Sequence, residues 1–197
     1  MIRRLLNFTL IFGVIISVLS CNQTDKPGII SPKSYKTKTG KTITVRETHP
    51  IGQSLSNIEI NTIDFEHNYS ETFKDADPLS DIFVADLDNN GFDEIYIITM
   101  SVGSGNYGTV LGFASNKDKS LSMINYPGIQ EGNEIFAGYM GHDLFSIDDN
   151  KLIRVFPIYQ KNDSNNNPTG GERKVIYGLY PGEAMWQLKI ETTNFTN

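Results

Sequence analysis

The chain has 197 residues, with 23 acidic and 17 basic side chains and a formal net charge of −6 at pH 7. This length suits one ordinary domain with an appendage. The negative charge disfavours nucleic-acid binding, because few basic groups are available to displace counterions from phosphate. Cys21 is the single cysteine, so an intramolecular disulfide is excluded and the fold must depend on its core.

The N-terminal segment predicts export and lipid anchoring. Residues 1–20 carry two arginines, Arg3 and Arg4, close to the start, continue through an apolar stretch and end with a small serine, a pattern typical of a secretory signal peptide. The sequence VLSC that ends at Cys21 resembles a lipobox, in which the cysteine becomes the first residue and carries lipid, although Val18 stands where the pattern prefers leucine. The alternative is an ordinary cleaved signal peptide followed by an unmodified thiol. We therefore expect a lipid-anchored protein in the cell envelope of a Gram-negative bacterium. Asn22 after the cysteine favours the outer membrane, facing the periplasm or the surface.

Two regions follow the predicted signal. Residues 21–39 are polar and lysine-rich and contain two prolines, which predicts a flexible tether. Residues 40–197 alternate short apolar runs with turn residues, which predicts a single β domain. The predicted strands, in chain order, are KTITVRET, SNIEINTIDF, SDIFVADL, DEIYIITM, GTVLGFAS, SLSMINYP, HDLFSIDD, KLIRVFPIY, RKVIYGLY and AMWQLKIE.

The fold class follows from these runs. They are rich in β-branched and aromatic residues, and no segment places apolar residues at helical spacing. The pattern predicts an all-β antiparallel sandwich or flattened barrel with one core and few or no helices beyond the signal segment. DIFVADL and EIYIITM are apolar on both faces, which predicts central strands. NDSNNNPTGG, residues 162–171, is too polar to pack and predicts a long hairpin loop.

The segment DLDNNGFDE has the spacing of a calcium loop. Asp86, Asp88, Asn90 and Glu94 fall at its first, third, fifth and ninth places, with a glycine at the sixth. Hard oxygen ligands can converge there because the glycine permits a sharp turn. An isoleucine occupies the twelfth place, where an EF-hand has its bidentate glutamate. The alternative is a plain hairpin turn, in which Asp and Asn side chains bond their own backbone.

The segment SVGSGNYGTV, which follows EIYIITM, concentrates glycine around one tyrosine. A phosphate-binding loop would lead into a helix and often carries lysine, whereas these glycines lead into another predicted strand. Two interpretations of this segment remain. It is either a loose hairpin tip without a function of its own or a loop that binds another molecule. As a binding loop it would present Ser104 and Tyr107, with Gly105 between them allowing a close backbone approach.

The sequence disfavours an enzyme. No His, Cys or carboxylate grouping has zinc-ligand spacing, and no G-x-S-x-G nucleophile signature occurs. His142 in GYMGHDLF is interpreted as a hydrogen-bonded structural residue, and the single tryptophan, Trp186, as a core residue between two strands. Paired acids of a polysaccharide-cleaving enzyme remain an alternative, because sequence cannot place two carboxylates at a catalytic separation.

Three segments in this order resemble a known family. VADLDNNGFDEIYI, then SVGSGNYG, then FPIY with PTGGERK and PGEAMWQL are similar to the periplasmic inhibitors of invertebrate-type lysozyme. The resemblance covers roughly residues 44–190. Its most specific element is the serine-glycine-x-tyrosine motif, which is Ser104, Gly105, Asn106 and Tyr107 in this chain.

The resemblance implies a non-catalytic β-sandwich whose motif loop enters the cleft of a lysozyme. Ser104 and Tyr107 would then hydrogen-bond the catalytic carboxylates or their neighbours. The lipid-anchor signal and the tether would make this a membrane-attached version of the family. The alternative function is a calcium-binding structural or adhesion domain without inhibitory activity, in which the acidic loop carries the function.

Overall fold

The computed structural model describes residues 28–29, 31–129 and 132–196. In this part of the chain the only helical element is the 3₁₀ turn Glu134–Phe136, and no helix is long and apolar enough to cross a bilayer. The strands are β1 (Gly28–Ile29), β2 (Lys33–Lys36), β3 (Thr42–His49), β4 (Ser56–Ile63), β5 (Ser70–Ala76), β6 (Leu79–Ala85), β7 (Glu94–Met100), β8 (Gly108–Ser115), β9 (Leu121–Asn125), β10 (Leu144–Asp148), β11 (Lys151–Pro157), β12 (Glu172–Pro181) and β13 (Trp186–Thr196).

These strands form two sheets. The first sheet has the order β1-β3-β4-β5. The strand β2 also pairs with β3, at the N-terminal end of β3, whereas β1 pairs with its C-terminal end. The second sheet has the order β10-β11-β12-β13-β9-β8-β7-β6, and β10 approaches β6 so that the sheet almost closes into a barrel. The predicted all-β sandwich or flattened barrel is confirmed. One pair departs from the antiparallel prediction, because β9 and β13 run parallel.

The apolar residues form two clusters instead of the single predicted core. An inter-sheet core packs residues of β3 and β4 against one face of the second sheet, and a barrel core lies on the opposite face. Alternation along β7 shows why: Ile95 and Ile97 enter the inter-sheet core, while Tyr96 and Ile98 enter the barrel core. Because successive side chains point to opposite faces, a strand apolar at every position serves both cores.

The two strands predicted to be central differ in position. EIYIITM forms β7, which pairs on both sides and is buried at nearly every position, as predicted. DIFVADL contributes to β6, which ends the hydrogen-bonded order of the second sheet. Ile82 is buried in the inter-sheet core and Leu87 in the barrel core, while Phe83, Val84 and Ala85 are half-buried against one core or the other. Burial on two faces therefore does not require hydrogen-bonded neighbours on two sides.

The β domain begins earlier than residue 40. Lys33–Lys36, within the predicted tether, form β2 and pair with Thr42–Val45 of β3. The apolar pattern does not indicate this strand, because its side chains are mostly exposed and its lysines are typical of a solvated linker. The strand β5 was missed for the same reason: SETFKDA is exposed at most positions and lies at the edge of the first sheet.

The strand β7 connects the two segments that the sequence singled out. The loop of DLDNNGFDE leads into its first residue, Glu94, and the loop SVGSGNY leaves from its last, Met100. Seven residues of extended strand span roughly 20 Å. The two candidate sites therefore lie at opposite ends of one buried strand.

Candidate functional site: the motif loop and the acidic loop

The motif loop, residues 101–107, joins β7 to β8 and presents two free hydroxyl groups. Ser104 is exposed and Tyr107 is 46% exposed. Within the described residues, neither hydroxyl group makes a hydrogen bond to the chain. The structure thus leaves both predicted side chains available to another molecule.

Although its side chains are exposed, the backbone of the motif loop is held in place. The carbonyl oxygen of Gly105 accepts a hydrogen bond from the backbone N–H of His142 at 2.6 Å. The carbonyl oxygen of Ser104 accepts one from Nδ2 of Asn165 at 2.8 Å. Within the loop, the N–H of Tyr107 donates to Oγ of Ser101 at 2.8 Å. Two segments remote in sequence therefore fix a loop that glycine content alone would make flexible.

Close packing explains two of the glycines. The ring of Tyr107 lies over Gly105, so that a side chain at that position would overlap the ring. Gly141 lies against the same stretch: it has a positive φ of 92°, and a Cβ there would overlap the carbonyl oxygen of Gly105. The ring of Tyr107 also meets Tyr139 edge to face, with centroids 5.6 Å apart. The GYMGHD segment, residues 138–143, therefore packs against the motif loop and supports it.

A buried ion pair connects the GYMGHD segment to β11. Arg154 is 1% exposed, and its Nε and Nη2 donate to the two carboxylate oxygens of Asp143 at 2.6 and 2.9 Å. The guanidinium also donates to the hydroxyl groups of Tyr139 at 2.6 Å and Tyr126 at 3.1 Å. Oδ2 of Asp143 in turn accepts the N–H of Gly108 at 2.7 Å. The network thus connects the barrel core directly to the first residue after the motif loop.

The charges in this network reinforce each other. Burial is the largest single influence and acts to lower the pKa of Arg154, but the hydrogen bond to Asp143 and the electrostatic interactions with Asp143, Tyr126 and Tyr139 together outweigh it, so that the pKa is raised above its usual value. Burial and the hydrogen bond to Asp143 raise the pKa of Tyr139 as well. The guanidinium carbon also lies 4.9 Å from the centroid of the Tyr139 ring, where the ring face attracts a cation. Arg154 therefore stays charged, and its hydrogen bonds fix the position of the guanidinium.

The acidic loop, residues 86–94, gathers the predicted metal ligands. Carboxylate oxygens of Asp86, Asp88 and Glu94 lie within 4.8 Å of one another. The loop also makes the bonds of an Asx turn, because the N–H of Asn90 donates to Oδ1 of both Asp86 and Asp88 at 3.0 Å. Oδ1 of Asn90 accepts the N–H of Phe92 at 2.8 Å, so this predicted ligand is engaged with the backbone.

Electrostatics differ among the three carboxylates. Burial raises the pKa of Glu94 to about 8, and the neighbouring Asp88 and Asp86 add to this shift. Burial also raises the pKa of Asp88. Burial acts in the same direction on Asp86, but a hydrogen bond from Lys38 and one from the N–H of Gly91 lower its pKa below the usual value. The positive charge of Lys38 therefore stabilises the ionised form of Asp86 more than that of Asp88 or Glu94.

Several site residues were missed by sequence reasoning. Asp143, Arg154, Gly141 and Asn165 support the motif loop, and Lys38 contacts the acidic loop. One signal was present: an arginine stands in the middle of the apolar run KLIRVFPIY, and a charge in such a strand is buried only with a partner.

The remaining residues named in the sequence analysis are His142, Trp186 and Cys21. His142 has a positive φ of 59°, and its Nε2 lies 3.4 Å from Oδ1 of Asn165. Trp186 is half-buried and packs at the margin of the barrel core instead of filling it. Cys21, the predicted lipidation site, lies outside the described residues.

The family resemblance has no support from comparison with known proteins. No protein-family model, curated protein or solved structure matches the chain. The assignment to the lysozyme inhibitors therefore stays a prediction.

Proposed function

We propose that this protein binds and inhibits a lysozyme, of the invertebrate type, by inserting the motif loop into the active-site cleft. The observation that supports the proposal is the pair of exposed hydroxyl groups, on Ser104 and Tyr107, that have no hydrogen-bond partner among the described residues while the loop backbone is fixed. The protein would act as a lipid-anchored inhibitor in the cell envelope and would not itself catalyse a reaction.

The chemistry of a lysozyme cleft suits this loop. Glycosidases carry a pair of catalytic carboxyl groups, and a hydrogen bond to a charged group contributes about 1.5 to 3 kcal/mol. Tyr107 adds a large contact area with few rotatable bonds, so little conformational entropy is lost when it binds. The fixed backbone lowers the cost of ordering the loop further.

Charge would assist the encounter. The formal net charge of −6 favours approach to a basic lysozyme, and such complementarity raises the association rate more than the affinity. Inhibition should therefore weaken only moderately as salt is added, mainly through slower association.

Substitution in the motif loop tests the proposal. We expect the full chain, kept soluble in a mild detergent, to inhibit the muramidase activity of an invertebrate-type lysozyme. Ser104→Ala and Tyr107→Phe should each raise the inhibition constant about tenfold or more, because each removes one hydrogen bond to a carboxylate. The measurement is the inhibition constant from initial rates at several inhibitor concentrations.

Tyr180→Phe is the matched control, since Tyr180 is also partly exposed but lies in β12 and donates to Glu191 at 2.6 Å. It should inhibit as well as the unchanged chain. An unchanged chain that does not inhibit, or motif-loop variants that inhibit equally well, would contradict the proposal.

A further inference from the structure

The acidic loop contains a buried carboxylate oxygen that lacks a donor. Glu94 is fully buried, and its Oε2 accepts the N–H of Leu87 at 2.8 Å and the hydroxyl of Tyr96 at 3.4 Å. Its Oε1 has no hydrogen-bond partner among the described residues. A buried acceptor left in this way is unfavourable. The carboxylates of Asp86 and Asp88, each with an oxygen within 4.8 Å of a Glu94 oxygen, add further acceptors to the same place. A cation would satisfy all three groups.

Lys38 already brings one positive charge to this place. Its ammonium group contacts Oδ2 of Asp86 and lies 3.9 Å from Asp93. It makes no hydrogen bond to Asp88 or Glu94 within the described residues. The Lys38 side chain is 44% exposed, whereas that of Asp86 is 9% exposed. The long lysine side chain can therefore turn out into solvent and leave the Asp86 carboxylate to another cation.

We propose that the acidic loop is a divalent-cation site of the calcium class, with Asp86, Asp88 and Glu94 as ligands, and that Lys38 competes with the cation for Asp86. Both calcium and magnesium prefer hard oxygen ligands, but calcium is favoured here because it tolerates the irregular geometry that a loop imposes. Magnesium requires a near-ideal octahedron and releases its water reluctantly.

The exchange leaves the surrounding backbone in place. The N–H of Lys38 donates to Oδ2 of Asp93 at 2.5 Å, so the turn between β2 and β3 stays attached when the ammonium group leaves Asp86. Cation binding therefore replaces a displaceable side-chain contact without unfolding the first sheet. It also acts at the end of β7 remote from the motif loop, so this proposal does not depend on lysozyme inhibition.

Calcium titration of the full chain in mild detergent, after treatment with a chelator, tests the site. We expect one binding event by calorimetry, with a dissociation constant in the range of about 10⁻⁴ to 10⁻³ M found for extracellular modules, and a melting temperature that rises with calcium. Asp88→Asn should weaken binding about tenfold or more, because it removes a charged ligand while keeping an acceptor for the turn.

Two further variants complete the experiment. Asp75→Asn makes the same charge change at an exposed carboxylate of β5 that forms no side-chain hydrogen bond or ion pair within the described residues, and it should bind calcium as the unchanged chain does. Lys38→Gln removes the competitor and should tighten binding by up to about fivefold.

The outcomes separate the two parts of the proposal. Absence of heat and of a melting shift, in both the unchanged chain and Lys38→Gln, would overturn the cation site. Equal weakening by Asp88→Asn and Asp75→Asn would overturn the assignment of ligands. An unchanged dissociation constant in Lys38→Gln would overturn the competitive role of Lys38. The proposal is supported if the unchanged chain and Asp75→Asn bind calcium equally, Asp88→Asn binds it more weakly and Lys38→Gln binds it more tightly.

Discussion

Replacing Arg154 with alanine is expected to lower the free energy of unfolding by about 3 to 5 kcal/mol, the usual cost of removing one partner of a buried ion pair. The truncation leaves Asp143, which is 1% exposed, as a buried charge without its guanidinium. It also removes the donors to Tyr126 and Tyr139. Urea unfolding followed by tyrosine fluorescence measures the change.

Arg46→Ala is the matched control for this prediction. Arg46 pairs with Glu59 at 3.3 Å, but both side chains are partly exposed, and an exposed pair contributes about 0 to 1 kcal/mol. If the two arginine variants lost the same stability, the buried network would not hold the fold as argued. Arg154→Ala should also loosen the motif loop, because Asp143 accepts the N–H of Gly108.

Gly141→Ala should destabilise the protein and displace the motif loop. Its positive φ of 92° costs an alanine about 1 to 2 kcal/mol. The new Cβ would overlap the carbonyl oxygen of Gly105, and overpacking adds about 1 to 3 kcal/mol. Because the obstacle is backbone, no side-chain rotation relieves it. Urea unfolding gives the stability, and hydrogen exchange of the His142 amide, which donates to Gly105, reports on the contact.

Gly40→Ala separates backbone strain from the clash. Gly40 has a positive φ of 86°, and a Cβ there would meet nothing within 4 Å. It should therefore lose about 1 to 2 kcal/mol from φ alone and leave the His142 amide protected. Equal destabilisation by the two glycine variants, with His142 still protected in Gly141→Ala, would contradict the close approach. Under the proposed function, only Gly141→Ala should also weaken inhibition.

These two predictions describe one arrangement in which a stable core presents an exposed loop. The loop is fixed by His142 and Asn165 through its backbone, and the side chains of Ser104 and Tyr107 are left exposed. A binding loop prepared in this way loses less entropy on association than a flexible one. The buried network therefore matters to function as well as to stability.

Local chemistry was enough to predict many elements. The runs EIYIITM and GTVLGFAS became β7 and β8, because β-branched and aromatic residues fit a pleated, buried surface. The turn in DLDNNGFDE was equally visible, since Asn89 and Gly91 adopt the positive φ values of 57° and 94° that these residue types tolerate. The polar segment 162–171 lies in the loop between β11 and β12, as predicted.

Elements without an apolar pattern were not visible in the same way. The strands β2 and β5 lie at sheet edges with most side chains exposed, so hydrogen bonding to a neighbour, and not burial, makes them strands. The single predicted core became two because the first sheet covers the outer face of the second. Neither outcome is encoded in one segment taken alone.

The sequence by itself determined the fold class, the turn chemistry and the residues that each loop could present, because these depend on neighbours a few positions apart. Only the tertiary structure decided that Asp143 faces Arg154, that Gly141 touches Gly105 and that Lys38 reaches Asp86. Each of these contacts joins segments brought together by strand pairing and sheet closure. Their distances follow from register and curvature, which are properties of the whole packed chain.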